Sequence, residues 1–250
     1  MEDIVTIDGP TSSGKNSVGF LLAQKLGFQY IDTGMIYRAG CLKMIQQNIS
    51  ENDQDKILEI YKNLDIRFET NNEWRMFLDN IDVTEDLHTP QISRLVPIIS
   101  ALPQVREVMR GIQRKLGEIG KIVMGGRDIG SEIYPNAKFK FFLTAAVEVR
   151  AQRRFKQLTE KDPSIKYEDV LKDMQSRDHQ DMTREASPLR APEDAVTIDN
   201  SNMSIEQTVE EMLKKINVSP NSFKKWTDIN YREYATFRFT NNTGSCWCRV

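Results

Sequence analysis

Ile4-Val5-Thr6-Ile7-Asp8 is an unbroken apolar, β-branched run stopped by Gly9-Pro10, and it predicts a strand buried on both faces. Beyond the glycines the spacing changes. Val18, Leu21, Leu22, Ala23 and Leu26 fall on one face of a helix that Gly27 ends. Phe28–Asp32 repeats the strand pattern and Met35–Gln47 the helical one. Strand, helix, strand, helix from the first residues predicts a parallel sheet covered on both faces.

The pattern alters after Gln47. Asp53–Asn63 is helical in spacing; Leu64–Glu69, Arg75–Asp79 and Ile81–Val83 are short runs separated by Asn71-Asn72 and Asn80. They predict a small antiparallel sheet, set as an insertion over about 48–90. Helical spacing returns near 90–101 and over Pro103–Glu118, followed by a strand at Lys121–Met124 and the loop Gly125-Gly126-Arg127-Asp128-Ile129-Gly130. Lys138–Leu143 is a further strand, Val147–Leu158 a helix, Ala195–Ile198 the last core strand and Ile205–Ile216 the last helix. The stretch 160–187 is densely charged, with few large apolar residues, and suits either a mobile lid or an exposed helix with charges on every face. In the tail, Tyr234–Phe239 alternates, Asn241–Gly244 is turn-like and Ser245–Val250 could return as a hairpin.

Chemistry enters at the first strand-to-helix turn. Gly9-Pro10-Thr11-Ser12-Ser13-Gly14-Lys15 has the glycine and lysine spacing of a phosphate-binding P-loop; Asn16 stands where that pattern has Ser or Thr, and a hydroxyl follows at Ser17. Between a buried strand and an amphipathic helix, such a loop wraps backbone N–H groups around a polyphosphate and adds the helix dipole. Lys15 then reaches the β and γ phosphates. A site holding ATP over Gly9, Pro10, Thr11, Ser12, Ser13, Gly14, Lys15, Asn16 and Ser17 follows. Because an amide oxygen is a weak metal ligand, Mg²⁺ is expected to be held mainly by phosphate oxygens and water, not by a protein metal site.

A second set concerns a second phosphate. Arg38, Arg106, Arg127, Arg177 and Arg184 lie at element ends, with Asp32, Asp128, Asp178 and Asp181 nearby in sequence. Arginine binds phosphate through a planar fork and stays charged, and aspartate can accept from an exocyclic amine. Arg127-Asp128 gains weight from its place just past a buried strand, where open α/β sheets bind ligands.

The bulk numbers exclude other classes. Lys plus Arg number 34 against 36 Asp plus Glu, a net charge of −2, which disfavours a general nucleic-acid or anionic-membrane binder. No run approaches the roughly 18 apolar residues of a membrane span. The acidic start Met1-Glu2-Asp3 is unlike a secretory leader. The three cysteines, Cys41, Cys246 and Cys248, suit a reducing compartment, so a cytoplasmic protein is expected. His88 and His179 read as surface residues, since phosphoryl transfer depends on positioning and charge more than on a strong base.

Taken in order, these stretches resemble the bacterial cytidylate (CMP/dCMP) kinases over about residues 4–216. The matching segments are Ile7–Ser17, Tyr30-Ile31-Asp32-Thr33-Gly34 with Tyr37-Arg38, Pro103–Arg106, Gly126–Gly130, Arg177-Asp178 with Asp181 and Arg184, Ser187-Pro188-Leu189, Asp194-Ala195 and Ile198-Asp199. The resemblance implies an α/β P-loop NTPase fold: a parallel five-stranded sheet flanked by helices, a small antiparallel-sheet insertion and a helical lid. It implies a core of 1–47 and 91–216 with the lid at about 160–187, a monophosphate-binding insertion at 48–90, and an extension of unknown role at 217–250. It also implies transfer of the γ-phosphoryl group of ATP to CMP or dCMP by a monomeric enzyme. Thr33, Tyr37, Arg38, Arg106, Arg127, Asp128, Asp181 and Arg184 would bind the acceptor; Lys15, Arg127, Arg177 and Arg184 would be catalytic.

The chain departs from that family at three places: Gly125 where an acidic residue is usual, Pro97 where a serine often touches substrate, and Gln180 where the lid often has arginine. Two other readings are a P-loop kinase of another small acceptor and a nucleotide-binding protein with weakened catalysis.

Overall fold

The computed structural model describes residues 4–69, 74–118, 120–160, 162–216 and 236–239. Nine strands and eight α-helices occur among them. The strands are β1 (Ile4–Asp8), β2 (Gln29–Asp32), β3 (Ile66–Glu69), β4 (Arg75–Leu78), β5 (Ile81–Asp82), β6 (Ile122–Gly126), β7 (Phe139–Thr144), β8 (Val196–Asp199) and β9 (Thr236–Phe239). The helices are α1 (Lys15–Leu26), α2 (Thr33–Gln46), α3 (Gln54–Lys62), α4 (Pro90–Ser100), α5 (Pro103–Gly117), α6 (Val147–Thr159), α7 (Tyr167–Thr183) and α8 (Ile205–Ile216).

The core is a five-stranded sheet in the order β2-β6-β1-β7-β8, parallel at β1–β6, β1–β7 and β7–β8. Every residue of β1 and β6 is buried, as strands covered by helices on both faces require. From β1 the chain returns to the sheet on the β6 side, whereas from β7 it moves outward to β8. That reversal places a ligand crevice beyond the carboxyl ends of β1 and β7, where the Gly9–Gly14 turn begins.

Two compact units divide the chain. The first holds residues up to Tyr30 together with 120–223, and the second holds 31–119 with 224–250, so the chain passes between them inside β2. In the first unit α1 packs on α8 and on β6. The charged segment also has an inward face: Val170 and Met174 of α7 bury against Ala151 of α6, with Phe155, Leu158, Ile165, Tyr167 and Leu171 around them. This apolar stripe, not charge on all sides, fixes α7 as a helix.

In the second unit, α2 packs on α3 and α4, and α5 packs on α3 and α4. Local sequence explains the helix starts: Asp32 and Thr89 cap α2 and α4 through their side chains, and Pro90 and Pro103 occupy first turns, where no N–H is needed. The antiparallel sheet runs β5-β4-β3-β9. Tail strand β9 pairs with β3, Ile66 facing Phe239 and Glu69 facing Thr236. The returning strand suggested by Ser245–Val250, with Cys246 and Cys248, lies outside the described residues.

Two local features differ from expectation. Strand β6 continues through Gly125 and Gly126, because both keep parallel register with Ile7 and Asp8 of β1. Residues Ile129–Ile133 then form a π-helical turn, closed by the Tyr134 N–H donating to the Ile129 carbonyl at 2.7 Å.

Tyr61 shows how tightly the second unit is filled. Fully buried, it donates its hydroxyl to the Tyr37 carbonyl at 2.7 Å, and a Cβ added at Gly40 would stand 2.2 Å from its Cζ. Gly40→Ala gains about 1 kcal/mol of helix propensity but overpacks a rigid ring, which costs about 1–3 kcal/mol. Because the ring is held by its hydroxyl bond to the Tyr37 carbonyl, we expect the upper part of that cost and a net loss of up to about 2 kcal/mol, read from the urea midpoint; a raised midpoint would mean that Tyr61 moves aside freely.

Candidate active site

The turn between β1 and α1 is shaped by what holds its carbonyls. Lys15 Nζ, itself buried, donates to the Gly9 carbonyl at 2.8 Å and the Pro10 carbonyl at 2.7 Å. Arg150 of α6 donates to the Thr11 carbonyl at 3.2 Å, and Asn200, just past β8, donates to the Ser13 carbonyl at 2.9 Å. Asn200 is oriented in turn by Arg153, which bonds both its side-chain oxygen and its carbonyl, at 3.0 and 2.8 Å. With those carbonyls tied to cations and an amide, the backbone N–H groups are what the loop can offer a ligand, which suits an anion. Gly9 admits no side chain, for a Cβ there would lie 2.0 Å from the Leu143 carbonyl oxygen of β7. Asn16 and Ser17 open α1 and are both exposed.

Asp8, the last residue of β1, is a group that the sequence reading did not single out. It is buried, and its two oxygens accept from the N–H of Ile129 at 2.9 Å and of Gly130 at 2.7 Å. One carboxylate thus fastens the turn after β6, with Arg127 and Asp128, to the strand that launches the phosphate loop. Its sequence signal was an acidic residue ending an otherwise apolar buried strand. Burial pushes the Asp8 carboxyl up to about 6, against the pull of the Gly130 and Ile129 amides; the charge of Asp128 adds to the rise and Lys15 opposes it.

Beyond β6 an ionic cluster forms. Arg127 Nε donates to Asp181 Oδ2 at 3.0 Å, and Arg184 approaches Asp181 Oδ1 at 3.5 Å and Asp128 Oδ1 at 3.9 Å. Burial pushes the Asp181 carboxyl up, but Arg127, Arg177 and Arg184 more than offset this and hold it below its ordinary value. The segment after α7 folds back over the cluster: Leu189 N–H donates to the Asp181 carbonyl at 2.8 Å, and Arg184 Nε to the Ser187 carbonyl at 2.7 Å. One turn earlier on α7, Asp178 forms a buried pair with Arg150 at 2.6 Å, so the residue that holds Thr11 also holds α7. Arg150 and Asn200 were not singled out from the sequence; an arginine inside a helical pattern carries no mark of burial.

The first unit thus gathers Lys15, the phosphate loop, Arg127, Asp128, Arg177, Asp181 and Arg184. Thr33, Tyr37, Arg38 and Arg106 belong to the second. There Thr33 and Tyr37 are buried on the first turns of α2, and Arg38 donates to the Leu87 carbonyl at 2.8 Å and Ser93 Oγ at 3.2 Å. Arg106, buried on α5, donates to the Ser100 carbonyl at 3.2 Å. Pro97 lies inside α4, its carbonyl accepting from the Ser100 hydroxyl at 3.3 Å.

Known proteins match the chain closely. The cytidylate kinase family model covers residues 5–218. Identity to the cytidylate kinase of Caldanaerobacter subterraneus subsp. tengcongensis is 44% over 212 residues, 85% of this chain and 93% of that protein. Identity to the Bacillus subtilis cytidylate kinase is 40% over 213 residues, 85% of this chain and 95% of that protein. A crystal structure of an uncharacterized protein from Eubacterium ventriosum superposes with a TM-score of 0.50 at 13% identity, covering 87% of this chain and all of that one, a likeness of fold alone.

The raised Asp8 value has a thermodynamic consequence. Between the ordinary 3.8 and about 6 the folded chain binds more protons than the unfolded chain. The cost of burying this charge is therefore fully present above about pH 6 and is relieved as the pH falls toward 4. Relative to Asp8→Asn, the wild type should gain on the order of 3 kcal/mol between about pH 7 and pH 4, read by urea denaturation. A stability gap that does not change with pH would show that Asp8 keeps an ordinary affinity for its proton.

Proposed function

Because this chain belongs to the cytidylate kinase family, we propose that it transfers the γ-phosphoryl group of ATP to CMP or dCMP, giving ADP and CDP or dCDP. The observation that supports this best is the Asp8 clamp, which puts an Arg- and Asp-rich turn in the same unit as a lysine-bearing phosphate loop. A phosphate loop alone would serve any nucleotide-binding protein; the second set of charges suits a second, anionic partner.

In this reading the N–H groups of residues 9–17 and the Lys15 ammonium hold the polyphosphate of ATP. Arg38 and Arg106, with Thr33 and Tyr37, hold the acceptor monophosphate, and Asp128, Asp181 and Arg184 read cytosine and its sugar. An acceptor phosphate oxygen attacks the γ phosphorus as the bond to the ADP oxygen breaks in line. Lys15, Arg127, Arg177 and Arg184 spread the charge of that transition state, and closure of α7 excludes water. No histidine is required.

Among the described residues no three His, Cys, Asp or Glu side chains group as a metal site, and both Asp8 oxygens are engaged by amides. Such a donor set fits Mg²⁺ that arrives on the nucleotide, held mainly by phosphate oxygens and its own waters. When bound, the ion neutralises phosphate charge. No helix is long and apolar enough to cross a membrane among the described residues, and a cytoplasmic monomer acting on free nucleotides completes the reading.

ADP release from Mg-ATP, with CMP, dCMP, UMP, AMP and GMP compared as acceptors, tests the proposal. Fast turnover with CMP and dCMP, slower with UMP and negligible with purines, is expected; turnover confined to a purine would point to another kinase. Lys15→Met should lower kcat by about 10²–10³-fold in a chain that still folds, with a melting temperature lowered only by the loss of the Nζ bonds to the Gly9 and Pro10 carbonyls. Asp181→Ala should raise the acceptor KM by about tenfold and leave the ATP KM within about twofold, as loss of a charged hydrogen bond to the acceptor alone predicts. An equal rise in both KM values would remove Asp181 from acceptor recognition.

A further inference from the structure

In the middle of the phosphate loop stands a serine whose backbone takes a shape that serine avoids. Ser12 has φ +57°, in the left-handed region where a Cβ crowds the following carbonyl oxygen. Glycine enters that region freely, as Gly14 does at φ +92°. A serine there persists only where its surroundings hold it. The peptides on either side of Ser12 are each fastened through their carbonyls. Arg150 Nη1 donates to the Thr11 carbonyl at 3.2 Å, and Asn200 Nδ2 donates to the Ser13 carbonyl at 2.9 Å.

A peptide unit is planar and trans, so fixing a carbonyl turns the next N–H in the opposite direction. The two bonds therefore set the directions of the Ser12 and Gly14 N–H groups, and they leave Ser12 between two anchored planes. A turn with left-handed residues at 12 and 14 has the concave backbone that receives an anion. Arg150 can act as an anchor because it is itself fixed. It is buried in the first turn of α6. Its Nε donates to the Ala145 carbonyl at 2.9 Å, and its Nη1 serves Asp178 Oδ2 of α7, at 2.6 Å, as well as Thr11.

We propose that Arg150, with Asn200 as its counterpart, is a positioning residue of the nucleotide site, which holds Ser12 in its left-handed conformation and so keeps the phosphate loop in its binding shape before a nucleotide arrives. Asp178 takes part as the carboxylate that aims Arg150. The measured affinity of such a loop is its intrinsic affinity reduced by the fraction of chains in the competent shape. While the anchors outweigh the strain at Ser12, that fraction stays near one. With an anchor lost, the serine relaxes out of the left-handed region and the fraction falls. The inference rests on the nucleotide-site reading above and adds to it the residues that prepare the loop.

The test is equilibrium binding of Mg-ADP by calorimetry to three forms of the loop (wild type, Ser12→Ala and Ser12→Gly), each with and without Arg150→Lys. Lysine keeps a cation beside Asp178, so no buried charge is stranded, but one ammonium cannot reproduce the fork that meets Ala145, Thr11 and Asp178 together. Arg150→Lys should weaken ADP binding by about 3- to 10-fold in the wild-type loop, the range of one hydrogen bond. The factor should be the same in Ser12→Ala, where the Cβ and its strain remain. In Ser12→Gly the same substitution should weaken binding by less than about twofold, because glycine keeps the left-handed region unaided. General loosening of the fold would not depend on position 12 in this way. Asn200→Ala removes a neutral amide and should follow the same pattern; if Arg150→Lys does not fold, Asn200→Ala decides alone. An equal loss in all three loops, no loss in the wild-type loop, or relief in Ser12→Ala as full as in Ser12→Gly would each overturn the inference. A wild type that does not bind ADP at all would instead remove the nucleotide-site reading, and this inference with it.

Discussion

The carboxylate of Asp8 is the interaction on which the first unit turns. A parallel sheet brings strand ends together but leaves their following turns free to diverge, and a catalytic arrangement needs two of those turns held in register. Here a single buried anion does so, accepting from consecutive amides of the turn after β6 while ending the strand that launches the phosphate loop. The cost is visible in its own chemistry, since burial lifts the carboxyl to about 6. A hydrocarbon side chain would bury without that cost, but it would leave two backbone N–H groups unanswered in the interior, a loss of similar size.

From this clamp the charged elements extend in two directions. Arg127 reaches α7 through Asp181, and Arg150 reaches the same helix through Asp178 while also holding the Thr11 carbonyl. Helix α7 is therefore gripped at two points one turn apart, one leading to the turn after β6 and one to the phosphate loop. Ion pairs of this kind add little net stability, because desolvation offsets most of their attraction, whereas losing one partner strands a buried charge at a cost of about 3–5 kcal/mol. The stability of α7 comes from its apolar stripe on α6. Packing and charge thus divide the work: hydrophobic contact keeps the helix folded, and the pairs set where its arginines stand.

The tail adds a separate element. The family match ends at residue 218, yet β9 at Thr236–Phe239 completes the antiparallel sheet of the second unit by pairing with β3. An unpaired β3 edge would present open N–H and C=O groups to other chains, and a strand drawn from the same chain satisfies them.

Most of the architecture was legible in one sequence because it rests on short-range rules. The run at Ile4–Asp8, the helical spacing to Leu26 and the helical spacing near 90–101 and from Pro103 each act within a few residues, and each element appeared close to where those rules put it. The phosphate loop was legible for the same reason, since its spacing is local. What the sequence could not determine is which distant groups share a buried volume. Asp8 and Gly130, Arg150 and Thr11, and β9 and β3 are pairs separated by most of a domain, and no periodicity marks them. Only tertiary packing decides them, because burial turns a surface aspartate into a clamp and a solvated arginine into a tether.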